Sequence, residues 1–426
     1  MDTIFALSSG APPAGIAVIR VTGPEAGSAL EALAGKLPQP RKATRAWLKG
    51  EDGTTLDDGL VLWFPAPGSV TGEDLAEFHL HGGRAVIAAV EASLAKLPGL
   101  RKAQAGEFTR RAFANGRIDL AEAEGLADLL SAETEIQRRA AIANAGGALS
   151  RKVDGWREQL LRLSAQVEAV LDFEDEDDVS GLSPLFYVEL RALERDLGEI
   201  LDAPSAEPLR EGYRVALAGP PNAGKSTLFN ALLDNDAAIT AEIAGTTRDV
   251  LVRPVAIGGV PFSLVDMAGL RDEGSDAIES VGIDRAHTEI ARADLVLWLG
   301  PEGEGPENCW ELDAQCDRPN HVSKAIPDFS ISAVTGEGMD RLKRALVDHA
   351  SGKMPGPGDL ALNRRQRSLV REARAALRDA ADGGATDPLI LAEQLRLARL
   401  SFDALTGRSS TEDVLDALFG RFCIGK

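Results

Sequence analysis

Residues 219–226 read Gly219-Pro-Pro-Asn-Ala-Gly224-Lys225-Ser226, the G-x-x-x-x-G-K-[ST] spacing of a phosphate-binding loop. The apolar run Tyr213-Arg-Val-Ala-Leu-Ala218 before it reads as a buried strand, and Thr227-Leu-Phe-Asn-Ala-Leu-Leu after it as the start of an amphipathic helix. Strand, glycine turn and helix N-terminus together make an anion site, because free backbone N–H groups and the helix dipole converge there. In that setting Lys225 reaches the β- and γ-phosphates of a nucleotide and Ser226 ligates Mg²⁺. Around this loop, residues 213–350 alternate strands and helices, the pattern of a doubly wound α/β domain.

Three further elements follow in the order that a GTPase needs. Gly245-Thr-Thr247-Arg-Asp249 supplies the Thr247 hydroxyl for Mg²⁺ and the γ-phosphate. Asp266-Met267-Ala268-Gly269 follows the strand Phe262-Ser-Leu-Val; Asp266 meets Mg²⁺ through water and the Gly269 N–H meets the γ-phosphate. Ser330-Ile-Ser332-Ala333 resembles the loop beside the guanine. Each element alone is weak, but four in order at these intervals are strong.

The base-reading N-K-x-D motif is degraded. Ala314-Gln-Cys-Asp317 keeps the aspartate, while Ser323-Lys324-Ala-Ile326 keeps only a lysine. Asp317 is the better choice, since a carboxylate accepts the guanine N–H groups that adenine lacks. Leu270 stands where many small GTPases carry a water-orienting glutamine. Asp272, Glu273, Asp276 and Glu279 lie just downstream as replacements. Asn222, inside the phosphate loop, either shapes that loop or holds a monovalent cation near the β–γ bridge, where positive charge stabilises the transition state.

The rest of the chain sets bounds. Its 426 residues suit two or three domains. Residues 1–115 alternate apolar runs with turns: Ile16-Ala-Val-Ile-Arg-Val, Gly59-Leu-Val-Leu-Trp-Phe and Leu75-Ala-Glu-Phe-His-Leu read as strands, and 85–97 as a helix. Long amphipathic helices follow, clearest over 156–173, then an acidic run at 172–178 that reads as a solvated loop. Beyond the α/β domain and a Gly/Pro linker at 352–358, helices are expected over 363–382, 388–405 and 411–422, with Thr411 near an N-cap. The expected fold is thus α/β plus α: an N-terminal α+β domain (1–117), a helical domain made from two segments (118–211 and 353–426), and a GTPase domain (212–352) inserted between them.

A net charge of −20 argues against a broad nucleic-acid-gripping surface, though a local basic patch stays open. No apolar stretch is long enough to span a membrane, and the N-terminus lacks the marks of a signal peptide. Cys309, Cys316 and Cys423 form neither a disulfide framework nor a zinc spacing, which fits a reducing cytoplasm.

Several stretches make the chain resemble the tRNA modification GTPase family known as MnmE or TrmE: Ile16-Ala-Val-Ile-Arg20-Val-Thr-Gly, Thr71-Gly-Glu-Asp-Leu-Ala-Glu77, the block Gly106 to Leu120, Gly245-Thr-Thr-Arg-Asp, and the terminal Phe422-Cys423-Ile-Gly-Lys426. The resemblance implies a K⁺-stimulated GTPase in which two G domains pair. With an FAD-containing partner, MnmG, such a protein adds an aminomethyl-type group at C5 of the tRNA wobble uridine. It also implies a homodimer formed through the N-terminal domain. The nucleotide set it implies is Asn222, Ala223, Gly224, Lys225, Ser226, Thr227, Ala241, Glu242, Ile243, Ala244, Gly245, Thr246, Thr247, Asp266, Met267, Ala268, Gly269, Asp317, Ser332 and Ala333. Within that set, Ser226 and Thr247 serve Mg²⁺, and Asn222, Ala241, Ile243 and Thr246 serve K⁺. Glu279 would orient water. Arg20, Glu77, Arg117 and Lys426 would bind a folate, 5-formyltetrahydrofolate, with a structural ion pair the alternative for Arg20 and Glu77, and Cys423 is either a reactive thiol beside it or a packing residue. Met267 and Pro220 depart from the family's usual threonine and arginine.

Overall fold

A computed structural model of the chain describes residues 2–172, 182–234, 251–267, 288–307, 309–319, 321–356, 359–383, 387–409 and 411–426. They fall into two compact units: Met1–Ala127 with Leu149–Gly155 and Phe402–Lys426, and Asp128–Ala148 with Trp156–Ser401.

The first unit is built on β1 (Thr3–Leu7), β2 (Ala14–Thr22), β3 (Thr44–Lys49), β4 (Thr55–Phe64), β5 (Leu75–Gly82) and β6 (Leu100–Lys102), in the order β3-β4-β5-β2-β1-β6. The expected strands are β2, β4 and β5, each longer than its apolar run. One face carries Phe5, Ile19, Val21 and Phe78 under α1 (Ala26–Ala34) and α2 (Arg84–Leu94). Side chains alternate between faces, so Ala6, Arg20 and Glu77, opposite one another in register, share the other face. Phe108 of α3 (Glu107–Ala114) packs with Ile4, Ala6 and Ala103.

The chain's last residues return to this unit. Leu418 and Phe419 of α13 (Glu412–Phe419), with Phe422, cluster with Phe113 of α3 and Leu120 of α4 (Leu120–Leu130). Thr411 occupies the N-cap position of α13 in extended backbone, without a side-chain cap bond. Beyond α13, Ile424 bridges Ala105, and the Ser8 hydroxyl donates to the Gly425 carbonyl at 2.7 Å. Gly425 is required here: its φ is 97°, and a Cβ would lie 2.1 Å from the Leu7 carbonyl oxygen.

In the second unit, β7 (Tyr213–Ala218), β8 (Leu251–Ile257), β9 (Val260–Asp266), β10 (Leu295–Trp298), β11 (Cys309–Ala314) and β12 (Phe329–Ile331) form a sheet ordered β12-β11-β10-β7-β9-β8. Every pairing is parallel except β8 with β9. β9 is buried along its whole length, Ser263 and Asp266 included. α9 (Lys225–Asp234) and α10 (Met339–Ser351) help to close the core through Leu228, Leu232, Leu342 and Leu346.

The helical part of this unit joins distant segments. α7 (Pro184–Asp202) buries Phe186, Leu190, Leu193 and Leu197; α11 (Arg364–Gly383) buries Val370, Ala373, Leu377 and Ala380. These are helical spacings with one apolar stripe on each helix. Arg374 Nε meets Glu194 Oε1 at 2.7 Å, and the Arg367 guanidinium donates to the carbonyls of Leu201 and Ala203, so the two helices run antiparallel. α6 (Ala148–Asp172), whose residues 149–155 belong to the first unit, begins eight residues before the expected Trp156. Its first turns are polar at Arg151, Lys152 and Asp154, yet they bury Leu149 and Val153.

Candidate nucleotide and N-terminal sites

The phosphate loop runs from the end of β7 into the first two residues of α9. Its shape depends on left-handed backbone at Asn222 (φ 62°) and Gly224 (φ 96°). Gly219 has φ 147°, and a Cβ there would press within 3.0 Å of the Gly300 nitrogen. Lys225 is buried, and its Nζ donates to the carbonyls of Gly219 at 2.9 Å and Pro220 at 2.8 Å. The ammonium is therefore folded back over the loop it would serve. Ser226 Oγ donates to Asp266 Oδ2 at 3.0 Å. Asp266, at the end of β9, is also buried. These two oxygens, one neutral and one anionic, are the hard donors that Mg²⁺ takes directly or through water.

A cleft of about 840 Å³ opens above the loop, lined among others by Asn222, Thr227, Met267, Gln315 and Arg318. Gln315 is the residue that sequence reasoning passed over. It stands where N-K-x-D has its lysine, just past β11, with φ 63°. Its Nε2 donates to the Asn222 carbonyl at 3.1 Å, and its side chain lies over Gly224, where a Cβ would come within 2.9 Å. The amide thus ties the base-side loop to the phosphate loop. Asp317 follows two residues later, exposed. The rival Lys324 is engaged elsewhere: its ammonium pairs with Glu311 and donates to the Trp298 carbonyl. Ser332 is buried just after β12, and its hydroxyl accepts from the Thr335 N–H at 3.1 Å, which shapes the loop that holds Ala333. Ala241, Glu242, Ile243, Ala244, Gly245, Thr246, Thr247, Ala268, Gly269 and Glu279 lie outside the described residues.

In the first unit, Arg20 Nε meets Glu77 Oε1 at 2.8 Å, and His79 Nε2 meets Glu77 Oε2 at 3.1 Å. Burial pushes the Glu77 carboxyl up, but the bonds from Arg20 and His79 outweigh it and hold the group below its ordinary value. His79 reads as a strand residue and stands in β5; the alternation that puts residues 77 and 79 on one face brings its ring to Glu77. The Arg117 side chain lies on Gly72, and the loop is tied to the sheet by the Thr22–Thr71 hydroxyl pair at 2.7 Å. Lys426 is half-buried and Cys423 exposed, with the Lys426 N–H donating to the Cys423 carbonyl. Their tail is seated on Leu7 and Ser8, next along β1 to Ala6, the register partner of Arg20. Among the described residues no hydrogen bond or ion pair joins Arg117 or Lys426 to the Arg20–Glu77 pair.

A mostly parallel sheet, a phosphate loop between β7 and α9, and a serine–aspartate pair suited to Mg²⁺ define a P-loop GTPase. The relatives narrow this class. The chain is 62% identical to the tRNA modification GTPase MnmE of Erythrobacter litoralis over 426 residues and 61% identical to that of Novosphingobium aromaticivorans over 437, covering all of both chains in each case. It is 51% identical to the MnmE of Zymomonas mobilis, again over the full length of both. The family described as GTP-binding protein TrmE N-terminus matches residues 3–117, and the MnmE helical domain matches 120–423. The chain belongs to the MnmE family of tRNA modification GTPases. Among solved structures, the G domain of the T. maritima FeoB iron transporter is 28% identical, covers 32% of this chain and 98% of its own, and has a TM-score of 0.24. Among the described residues, no helix is long and apolar enough to cross a membrane.

Proposed function

We propose that this chain is the K⁺-stimulated, GTP-hydrolysing component of a cytoplasmic enzyme that, with the FAD-dependent MnmG, adds an aminomethyl or carboxymethylaminomethyl group at C5 of the tRNA wobble uridine. The observation that carries the hydrolytic half is the cluster of Lys225, Ser226 and Asp266 under one cleft. The tRNA half rests on full-length likeness to proteins named for that work.

In this reading Lys225 exchanges two neutral carbonyls for anionic phosphate oxygens, a stronger charge-assisted bond. Ser226 and Thr247 ligate Mg²⁺, with Asp266 acting through water; the ion neutralises charge on the transferring phosphoryl group. Asn222 lines the cleft with its backbone carbonyl already taken by Gln315, which leaves its side-chain oxygen for K⁺ beside the β–γ bridge. Ala241, Ile243 and Thr246 complete that site, and Glu279 orients the attacking water. Asp317 reads guanine, with Ser332 and Ala333 beside the base.

The first unit serves the carbon donor. Arg20, Glu77, Arg117 and Lys426 bind 5-formyltetrahydrofolate or a related folate, Cys423 offers a thiol nearby, and two chains pair through the N-terminal domain. Support comes from the Arg20–Glu77–His79 network on the sheet face that α3 covers only in part, and from a tail that needs glycine at 425 to reach β1. Nucleoside analysis of wobble uridine in a deletion strain tests the whole reading. Loss of the C5 group, restored by the wild-type chain but not by Lys225→Ala, is expected. Unchanged tRNA in the deletion strain would overturn it.

A further inference from the structure

We infer that an arginine stripe on α7 and α11 is a tRNA-backbone contact surface; this rests on the tRNA reading above. Arg364, Arg371 and Arg378 recur every seven residues along α11. Seven residues fall only about 20° short of two turns of helix, so the three share one face, and all three are exposed. At 1.5 Å per residue they span roughly 21 Å. On α7, Arg191 and Arg195 flank Glu194 and are exposed as well.

The Arg374–Glu194 pair and the bonds of Arg367 to the C-terminal end of α7 set the antiparallel register. That register brings Arg378 level with Arg191, on the side of both helices away from their buried stripes. Among the described residues, none of the five guanidiniums has an ion-pair or hydrogen-bond partner. Exposed Glu199, Asp202, Glu372, Asp379 and Asp382 fringe the stripe, and the Glu207 carboxylate accepts from the Arg364 backbone N–H.

In a chain of net charge −20, five unpaired arginines on one ridge stand out, and their chemistry favours phosphate. The guanidinium fork matches phosphate oxygens in pairs. A protein interface would need apolar or aromatic anchors at its centre; α11 exposes no large apolar side chain, and α7 only Leu185 and Val188 in its first two turns. The overall charge opposes a broad grip on RNA, but a short ridge needs only a few phosphates.

The test measures binding of the full-length protein to a fluorescently labelled tRNA transcript with uridine at the wobble position, across a KCl series. Arg371→Gln/Arg378→Gln is expected to lower the slope of log affinity against log salt by roughly one per arginine removed. GTP turnover should stay at the wild-type level. Arg396→Gln, at an exposed helical arginine paired with Glu393, should leave the slope alone. The same slope in wild type and double variant would overturn the stripe while leaving the tRNA reading in place. Absence of tRNA binding by the wild type at low salt would count against both. Unchanged tRNA binding combined with lost modification, in a reaction reconstituted with the FAD protein, would assign the ridge to that protein instead.

Discussion

Gln315 shows how one side chain can hold two loops together. It joins segments 93 residues apart with a single neutral hydrogen bond. Such a bond contributes about 0.5–1.5 kcal/mol, so Gln315→Ala should weaken binding of a fluorescent GDP analogue roughly 2- to 10-fold. Gln315→Lys should tighten it, since an ammonium on the same carbonyl makes a charge-assisted bond. Equal affinity across all three proteins would mean that the tether is incidental. Lys225→Ala should reduce GTP turnover by at least about 100-fold, on the scale of removing one preorganised charge donor.

Glu77 offers a test by pH. Its folded carboxyl lies below the ordinary value of 4.5, so the network adds stability above that value and loses it as pH falls through the lowered one. Thermal melts of wild type and Glu77→Gln should therefore differ most near neutrality and converge in acid; a constant gap would contradict the ion pair. At this scale the sequence was readable where chemistry is local. Lys225 and Ser226 are adjacent, and Asp266 ends an obvious strand. Gln315 was not, because it acquires its meaning from a partner that only the fold supplies, and His79 was readable as a strand residue but not as a partner of Glu77.

Elements were legible in proportion to their pattern. β2, β4 and β5 are long enough to show their apolar runs, and α7 and α11 carry clean helical stripes. β1 and β6 are too short to establish a period, and β3 mixes Arg45 and Trp47 on exposed positions. The tail is the element whose role the sequence hid most, since its anchor is a backbone approach and not a side-chain pattern. Gly425→Ala tests that anchor. A methyl group 2.1 Å from the Leu7 carbonyl oxygen, at φ 97°, should unseat residues 423–426 at a strain of about 1–3 kcal/mol. Calorimetric titration with 5-formyltetrahydrofolate should then show markedly weaker binding, while GTP turnover persists. Unimpaired folate binding would remove Lys426 from the site.

For the whole molecule, order along the chain differs from order in space. A helical layer is built from α7 and α11, whose Glu194 and Arg374 are 180 residues apart, and the GTPase sheet is threaded between them. The change from long helices to alternating strands and back made that insertion visible in the sequence. Function at this scale depends on whether the phosphate loop and the proposed cation site at Asn222 act together. The most direct measurement is GTP and ATP turnover by the purified protein in KCl and in NaCl at equal ionic strength, beside Asn222→Ala. GTP hydrolysis that rises sharply in K⁺ alone, is lost as a K⁺ response in the variant, and leaves ATP nearly untouched is expected. Turnover indifferent to the cation would contradict Asn222 as its ligand, and equal use of ATP would contradict Asp317 as the guanine reader.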